Sequence, residues 1–495
     1  MTSVYQPQDV KATTDAAATT VAAIISALET NRIALFKKSQ YSPCSNEFKE
    51  WKISVIYPKS KHVPEVLYPT AKIIRTVPLH IGGGELLYKV IIDKFEGILL
   101  CSGKTLEDIL NILTSKYVLR SDYDVELLQV LYSIGVLSCD PSLEHPPRVI
   151  HKRELHEKII EEIGNILTGI GWFTLVPETV EIEITRKCNF RCIHCCRECP
   201  TNDREFDRRD IIRIIRSLGE LGSANLTLTG GEPLLYEGII DILKEAKSQY
   251  LSVTILTNGS RLSDVSFLRD IMKYVGSFQL SIYGPSAHIH DRVTGVRGSF
   301  FLLLRALENI MKHSKFRERK IIVSFNYVLI KDINDDPHIL EDIMKAFSAL
   351  PVKIRFTPVV PEGRGRSLPM YTSHELRIVG KHVRELAKKY QLEEKLVTGG
   401  IPGLSYPSCD ALVFGCPAAR DLMFIGIEGY ASPCDALYNY VHVPLGEDHV
   451  LEVWLSDTFF EYKEIPEKSC PFGTFCGGPC KYDVISQSKN RQKVR

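Results

Sequence analysis

No stretch of the 495-residue chain stays apolar for the roughly 18–20 residues that span a bilayer. Net charge is also nearly absent, with 61 Lys and Arg against 60 Asp and Glu, a formal +1. The first absence leaves no candidate membrane span. The second removes the electrostatic case for a nucleic-acid or membrane partner. The Ala/Thr-rich run 16–28 is short and lacks a cationic start and a clear cleavage site, so it does not read as an export signal. Cysteine is missing from most of the chain. Of 14 cysteines, only Cys44, Cys101 and Cys139 lie outside two short clusters, Cys188 to Cys199 and Cys409 to Cys480. Such clustering favours metal ligation over a disulfide framework, and it makes the cytoplasm the expected compartment.

The length calls for two to four domains. Residues 1–65 form an extension without a strong pattern, apart from a candidate helix at 16–28. Residues 66–140 read as a small α+β module. It has a strand at 86–92, helical spacing of Phe95, Ile98, Leu99 and Leu100, a helix at 106–117 capped by Thr105, and a further apolar stripe of Leu127, Leu128, Leu131 and Ile134. Strands followed by three short helices suggest a winged-helix-like shape. Residues 141–178 read as a linker, interrupted by Pro146-Pro147, with one charged helix at 154–167.

From 179 onward strand and helix alternate. Strands are expected at 180–185, 225–229, 252–257, 277–282, 321–329 and 353–358, with helices such as 208–221 and 301–313 between them. Six βα units predict an α/β fold, a partial (β/α)6 TIM-like barrel over 179–395, with functional residues at the C-terminal strand ends. A helix at 373–390 leads to a Cys- and Gly-rich tail, 396–495, with little regular pattern.

The loop after the first barrel strand reads Cys188-Asn189-Phe190-Arg191-Cys192-Ile193-His194-Cys195. Three thiolates spaced in this way can ligate three irons of a four-iron cluster and leave the fourth iron open. A zinc knuckle is the competing reading, because Cys192/Cys195 and Cys196/Cys199 also have zinc-pair spacing. The second strand runs into Gly230-Gly231-Glu232-Pro233, where the glycines let backbone approach a ligand and Glu232 can accept a hydrogen bond from an ammonium.

The cysteine loop and the Gly-Gly-Glu-Pro turn together resemble the radical S-adenosylmethionine (SAM) enzymes. The resemblance implies a [4Fe-4S] cluster on Cys188, Cys192 and Cys195, with SAM on the open iron. Electron transfer to SAM then yields a 5′-deoxyadenosyl radical that abstracts hydrogen. By the same resemblance His194 packs near the adenine, and Gly230, Gly231, Glu232 and Pro233 line the methionine moiety. Asn258 and Ser281 are candidate contacts to ribose or carboxylate. Arg292 is a candidate partner of the SAM carboxylate, against a structural Asp–Arg cap. Gly363-Arg364-Gly365-Arg366 has no assigned role, and Cys196 and Cys199 are extra to the family pattern.

Cys416-x12-Gly429-x4-Cys434 and Cys470-x5-Cys476-x3-Cys480 resemble the SPASM extension of peptide-modifying radical SAM enzymes. The match implies at least one auxiliary [4Fe-4S] cluster, on Cys409, Cys416, Cys434 and Cys480. A second site would have only Cys470 and Cys476, with Glu467 where the family has a cysteine. Structural zinc is the alternative for this tail.

Residues 92–109 resemble PqqD-like domains, the recognition elements that bind a leader peptide as an added strand on a sheet edge. A DNA-binding winged helix is disfavoured, because the segment 122–134 carries Asp122, Asp124 and Glu126 and no Lys or Arg.

The combination implies an enzyme that modifies a ribosomally made precursor peptide, with a thioether crosslink as the favoured product. Residues 66–140 would hold the leader, and an external donor such as flavodoxin or ferredoxin would supply electrons. A sulfatase-maturing-type oxidase, or a haem- or quinone-pathway radical SAM enzyme, is the alternative within the same chemistry. A zinc-bound peptide carrier is the alternative outside it.

Overall fold

The computed structural model describes residues 33–37, 64–69, 73–80, 86–92, 97–115, 118–133, 136–139, 148–163, 173–199, 204–314, 321–393, 395–397, 417–446 and 450–464. The candidate helix at 16–28 lies outside them, as do Cys409, Cys416, Cys470, Cys476, Cys480 and Glu467. The chain divides into two compact units. The first comprises Met1–Glu178, Cys409–Asp421 and Asp457–Arg495, and the second Thr179–Ser408 and Leu422–Ser456. No helix of the described residues is long and apolar enough to cross a membrane.

In the first unit the strands are β1 (Ile33–Lys37), β2 (Val66–Pro69), β3 (Ile73–His80), β4 (Leu86–Ile92), β5 (Gly97–Ser102), β6 (Val118–Leu119), β7 (Leu137–Ser138), β8 (Arg148–Ile150) and β9 (Phe173–Thr174). The main sheet runs β1-β5-β4-β3-β8 with β9 on β3, and a small second sheet runs β6-β2-β7. Helices Gly103–Thr114 and Val125–Ser133 bury Leu106, Ile109, Leu113, Leu128 and Leu131 in one core with Val90, Leu99 and Cys101.

Two expectations change here. The apolar run 97–102 is a strand, not a helix. Leu99 and Cys101, two residues apart, are both fully buried, and β4 and β1 pair with the segment on either side. The following helix therefore starts earlier than expected. Its cap is Ser102, whose Oγ accepts from the Thr105 amide at 3.4 Å.

In the second unit, β10 (Thr179–Thr185), β11 (Asn225–Gly230), β12 (Ser252–Thr257), β13 (Ser277–Ile282), β14 (Ile322–Leu329) and β15 (Lys353–Pro358) pair in chain order, all parallel. Helices such as Arg208–Leu221, Ser299–Ser314 and Pro337–Ser348 cross between them. Along each strand one face is apolar and buried, for example Val180, Ile182 and Ile184, then Leu226 and Leu228, then Phe325 against Phe347 of a crossing helix. The opposite face carries Glu181, Thr227, Thr254, Gln279, Ser324 and Asn326, all half-buried, and the exposed Arg355. A closed barrel fills its interior with branched apolar side chains. A polar, solvent-reached inner wall instead leaves room for a polar guest.

The tail adds regular structure that its sequence pattern did not suggest. With β16 (Leu396–Val397), β17 (Leu422–Ile425), β18 (Tyr430–Ser432) and β19 (Val443–Pro444), the sheet runs β16-β15-β14-β13-β12-β11-β10-β17-β18-β19. β17 lies parallel to β10, with Val180 opposite Met423 and Ile182 opposite Ile425. Four residues make a short strand, and the glycines around it hid the pattern from a periodicity reading. Compactness thus groups residues 422–456 with the barrel.

Candidate active site

β10 ends at Thr185 and the chain turns into the cysteine loop. Thr185 Oγ1 accepts from the Lys187 amide at 3.0 Å and so shapes the exit. The Gly-Gly-Glu-Pro turn binds the same exit. The Gly231 amide donates to Thr185 O at 2.7 Å and the Glu232 amide to Lys187 O at 2.8 Å. This approach requires glycine. A Cβ on Gly230, whose φ is +142°, would stand 2.2 Å from Thr185 O, and one on Gly231 would stand 2.3 Å from Lys187 O.

Further along, the loop rests on the residues after β13. Arg191 and Ile193 amides donate to Thr294 O and Val293 O at 2.9 and 3.0 Å. Asn189 Nδ2 donates to Ser260 Oγ at 2.8 Å, and Asn258 Nδ2 donates to Asn189 Oδ1 at 2.9 Å. Cys188, Cys192 and Cys195 are free thiols, half-buried on this shelf. Burial pushes Cys188 up to about 11 and Cys192 up to about 12, with the neighbouring thiols adding to the shift. Cys195 is drawn below its ordinary value, chiefly by a hydrogen bond with the Cys199 thiol. Cys199 itself is buried, with 2% exposure.

The other expected residues take different roles. The His194 ring packs tilted against Tyr283, with centroids 4.8 Å apart, and its Nδ1 is buried without a hydrogen-bond partner. Burial, then the Arg364 charge, hold it near 4, so it is neutral. Ser281, one residue before the end of β13, is half-exposed beside the Tyr283 hydroxyl, which also reaches Cys192 sulfur. Tyr283 was not singled out from sequence.

Glu232 and Pro233 are buried. The Glu232 carboxylate accepts from Thr257 Oγ1 at 2.6 Å, the Asn258 amide at 2.7 Å and the Leu234 amide at 3.1 Å. Burial nevertheless pushes it up to about 7. With no exposed surface, it latches two loops together. Glu232→Ala would leave three donors without an acceptor, at a cost of roughly 3 kcal/mol. Thermal unfolding should show a clear fall in Tm, and an unchanged Tm would refute the latch.

Arg292 is exposed and makes no ion pair among the described residues. The cap at this point belongs to Asp291 alone, which accepts from the amides of Gly298 and Phe300 at 2.6 and 2.9 Å and from Ser299 Oγ at 2.8 Å.

Two arginines hold the far end of the loop, Arg197, which the sequence did not single out, and Arg364, which had no assigned role. Arg197 lies 3.7 Å from the fully buried Glu183, pairs with Asp435 beside the half-buried Cys434, and stacks over Phe424 and Tyr438 at 5.2 and 5.5 Å. Arg364 donates to loop carbonyls. On the inner wall below, burial raises Glu181 to about 7 while Arg197 and Arg355 pull it the other way.

Three free thiols on one loop, beside an unpartnered ring nitrogen, suit a cluster that takes one thiolate per iron.

Residues 182–343 match the family model of the Radical SAM superfamily. A probable GTP 3′,8-cyclase of Thermococcus kodakarensis is 31% identical over 159 residues, 32% of this chain and 49% of that protein. The chain therefore spans about half the length of this relative. An AdoMet-dependent heme synthase of Oleidesulfovibrio alaskensis is 24% identical over 60% of this chain and 80% of its own. The mycofactocin maturase MftC of Mycolicibacterium smegmatis is 26% identical over 61% of this chain and 78% of its own. Streptococcus suis SuiB, solved bound to precursor peptide SuiA, shares the fold with a TM-score of 0.60 at 17% identity, covering 84% of this chain and 97% of SuiB. The family implies a [4Fe-4S] cluster and SAM. The matched segment holds both the cysteine loop and the glycine turn, so the similarity to the Radical SAM superfamily falls on the site itself.

Proposed function

We propose that the chain modifies a ribosomally made peptide, with Cys188, Cys192 and Cys195 as ligands of the SAM-binding cluster. When bound, the cluster and SAM supply a 5′-deoxyadenosyl radical that abstracts hydrogen from the substrate. The chain's own residues orient that chemistry. Gly230 and Gly231 bring the turn against the loop exit, Tyr283 and His194 pack beside Cys192, and the polar inner wall of β10–β15 receives the substrate. A thioether crosslink, which removes two hydrogens, is the favoured product.

The observation that carries the peptide reading is the company the radical SAM domain keeps. The segment 92–109, which resembles a leader-binding module, spans the end of β4, β5 and the start of the first helix in a separate unit whose sheet is mostly antiparallel. Strand addition to such a sheet gives affinity through backbone hydrogen bonds. The similarity to MftC, a maturase by name, covers 78% of that protein and supports the same reading. Cys434 stands in the described part of the tail, and an auxiliary cluster on Cys409, Cys416, Cys434 and Cys480 completes the proposal. Flavodoxin or ferredoxin would be the electron donor and the cytoplasm the setting.

The test uses the full chain, purified without oxygen and supplied with SAM, reductant and a Cys-containing candidate precursor peptide. We expect 5′-deoxyadenosine and a peptide two hydrogens lighter. The length of the match to the heme synthase favours porphyrin chemistry as the second reading. Deoxyadenosine formed with a porphyrin and not with peptide would establish that alternative.

A further inference from the structure

Gly363-Arg364-Gly365 opens the short 3-10 helix Gly363–Ser367 that follows β15, which ends at Pro358, and lies against the back of the cysteine loop. Three N–H groups of Arg364 donate to three carbonyls spread along the loop. The backbone amide reaches Cys195 O at 3.1 Å, Nε reaches Cys192 O at 2.8 Å, and Nη2 reaches Cys199 O at 2.5 Å. The flanking glycines make this approach possible. A Cβ on Gly363 would stand 2.5 Å from Cys195 O and 2.6 Å from Cys196 O, and one on Gly365 would stand 2.5 Å from Val360 O and 3.4 Å from His194 O. The segment is built so that a planar, forked cation grips the carbonyl side of the loop.

We infer that Arg364 is a positioning residue for the cluster, fixing the cysteine loop from behind and holding the cluster's reduction potential up through its charge. The inference rests on Cys188, Cys192 and Cys195 being the ligands. Its electrostatic part follows from charge balance, since reduction adds an electron to a cluster already held by thiolates. A fixed cation nearby stabilises the reduced form more than the oxidised one. The guanidinium is hydrogen-bonded to Cys192 O and the Arg364 backbone amide to Cys195 O, which sets the charge beside two of the three ligands. Its geometric part follows from the fork. Lysine keeps the charge but presents a single flexible ammonium that cannot span Cys192 O and Cys199 O together.

The two parts separate in two variants of the full chain, reconstituted without oxygen with iron, sulfide and SAM. The readouts are iron and sulfide per chain, the one-electron midpoint potential followed by paramagnetic resonance, and the change in that signal when SAM is added. In Arg364→Gln the potential should fall, so that at a fixed applied potential the ratio of reduced to oxidised cluster drops about tenfold, ~59 mV for one electron. In Arg364→Lys the potential should stay near wild type, while the signal with SAM broadens because the loop is less constrained. Wild-type potential and wild-type SAM response in both variants would overturn the inference. A lysine variant whose potential falls as far as that of glutamine would overturn its charge component. If the glutamine variant does not fold, the lysine variant decides, and an unaltered SAM response in it counts against positioning. A wild-type chain that takes up no iron and sulfide would instead refute the ligand assignment itself.

Discussion

Replacing Cys188, Cys192 and Cys195 together by alanine should remove the SAM-dependent spectroscopic signal and abolish 5′-deoxyadenosine formation, while the chain stays folded. The loop's position does not depend on its sulfurs. It is held by the backbone bonds of Arg191 and Ile193 to Thr294 and Val293, by Asn189 on Ser260, and by Arg364. The thiols themselves are only half-buried, so their loss leaves little unfilled volume. Circular dichroism should therefore match wild type. Iron analysis should retain whatever the C-terminal cysteines bind, since those residues are untouched. Undiminished deoxyadenosine from the triple variant would end the assignment.

Gly230→Ala should be nearly as damaging by a different route. At φ +142° an alanine is strained, and its Cβ would meet Thr185 O at 2.2 Å, a backbone atom that cannot swing aside. Relief requires moving either β10 or the turn. We expect a loss of about 3 kcal/mol or more in stability, together with loss of deoxyadenosine formation, because both the loop exit and the Glu232 latch shift. Denaturant unfolding measures the first effect and turnover the second. Wild-type values for both would show that the turn has slack absent from its geometry.

Much of the barrel was legible because its strands alternate strictly. The segments 252–257, 277–282 and 353–358 and the helix 208–221 fall where periodicity placed them. Each pairs an apolar face with a polar one, and the two periods of 2 and 3.6 are distinct over such lengths. The run 97–102 was misread because Ile98, Leu99 and Leu100 are consecutive and apolar, a pattern that periodicity alone cannot assign. Only its neighbours β4 and β1 decide it.

The site divides in the same way. Residues whose meaning lies in local spacing, the three cysteines and the two glycines, were found from sequence. Residues whose meaning lies in a distant partner were missed. Arg364 and Cys192 are 172 positions apart, and Arg197 and Asp435 are 238 apart. The clue for Arg364 was present in its flanking glycines, which signal close backbone approach but do not say to what. Glu232 shows the same limit, since its place on the turn was legible while its bonds to Thr257 and Asn258, 25 and 26 positions on, were not.

The parallel pairing of β17 with β10 sets an order of events during synthesis. β10 is the strand that delivers the cysteine loop, and one of its two edges is covered by residues 422–425. Until the ribosome has released those residues, that edge stands open, and an open edge invites pairing with other chains. Iron loading is thereby best timed after translation of the tail, and a message broken before codon 422 would yield a protein prone to aggregate rather than a smaller working catalyst.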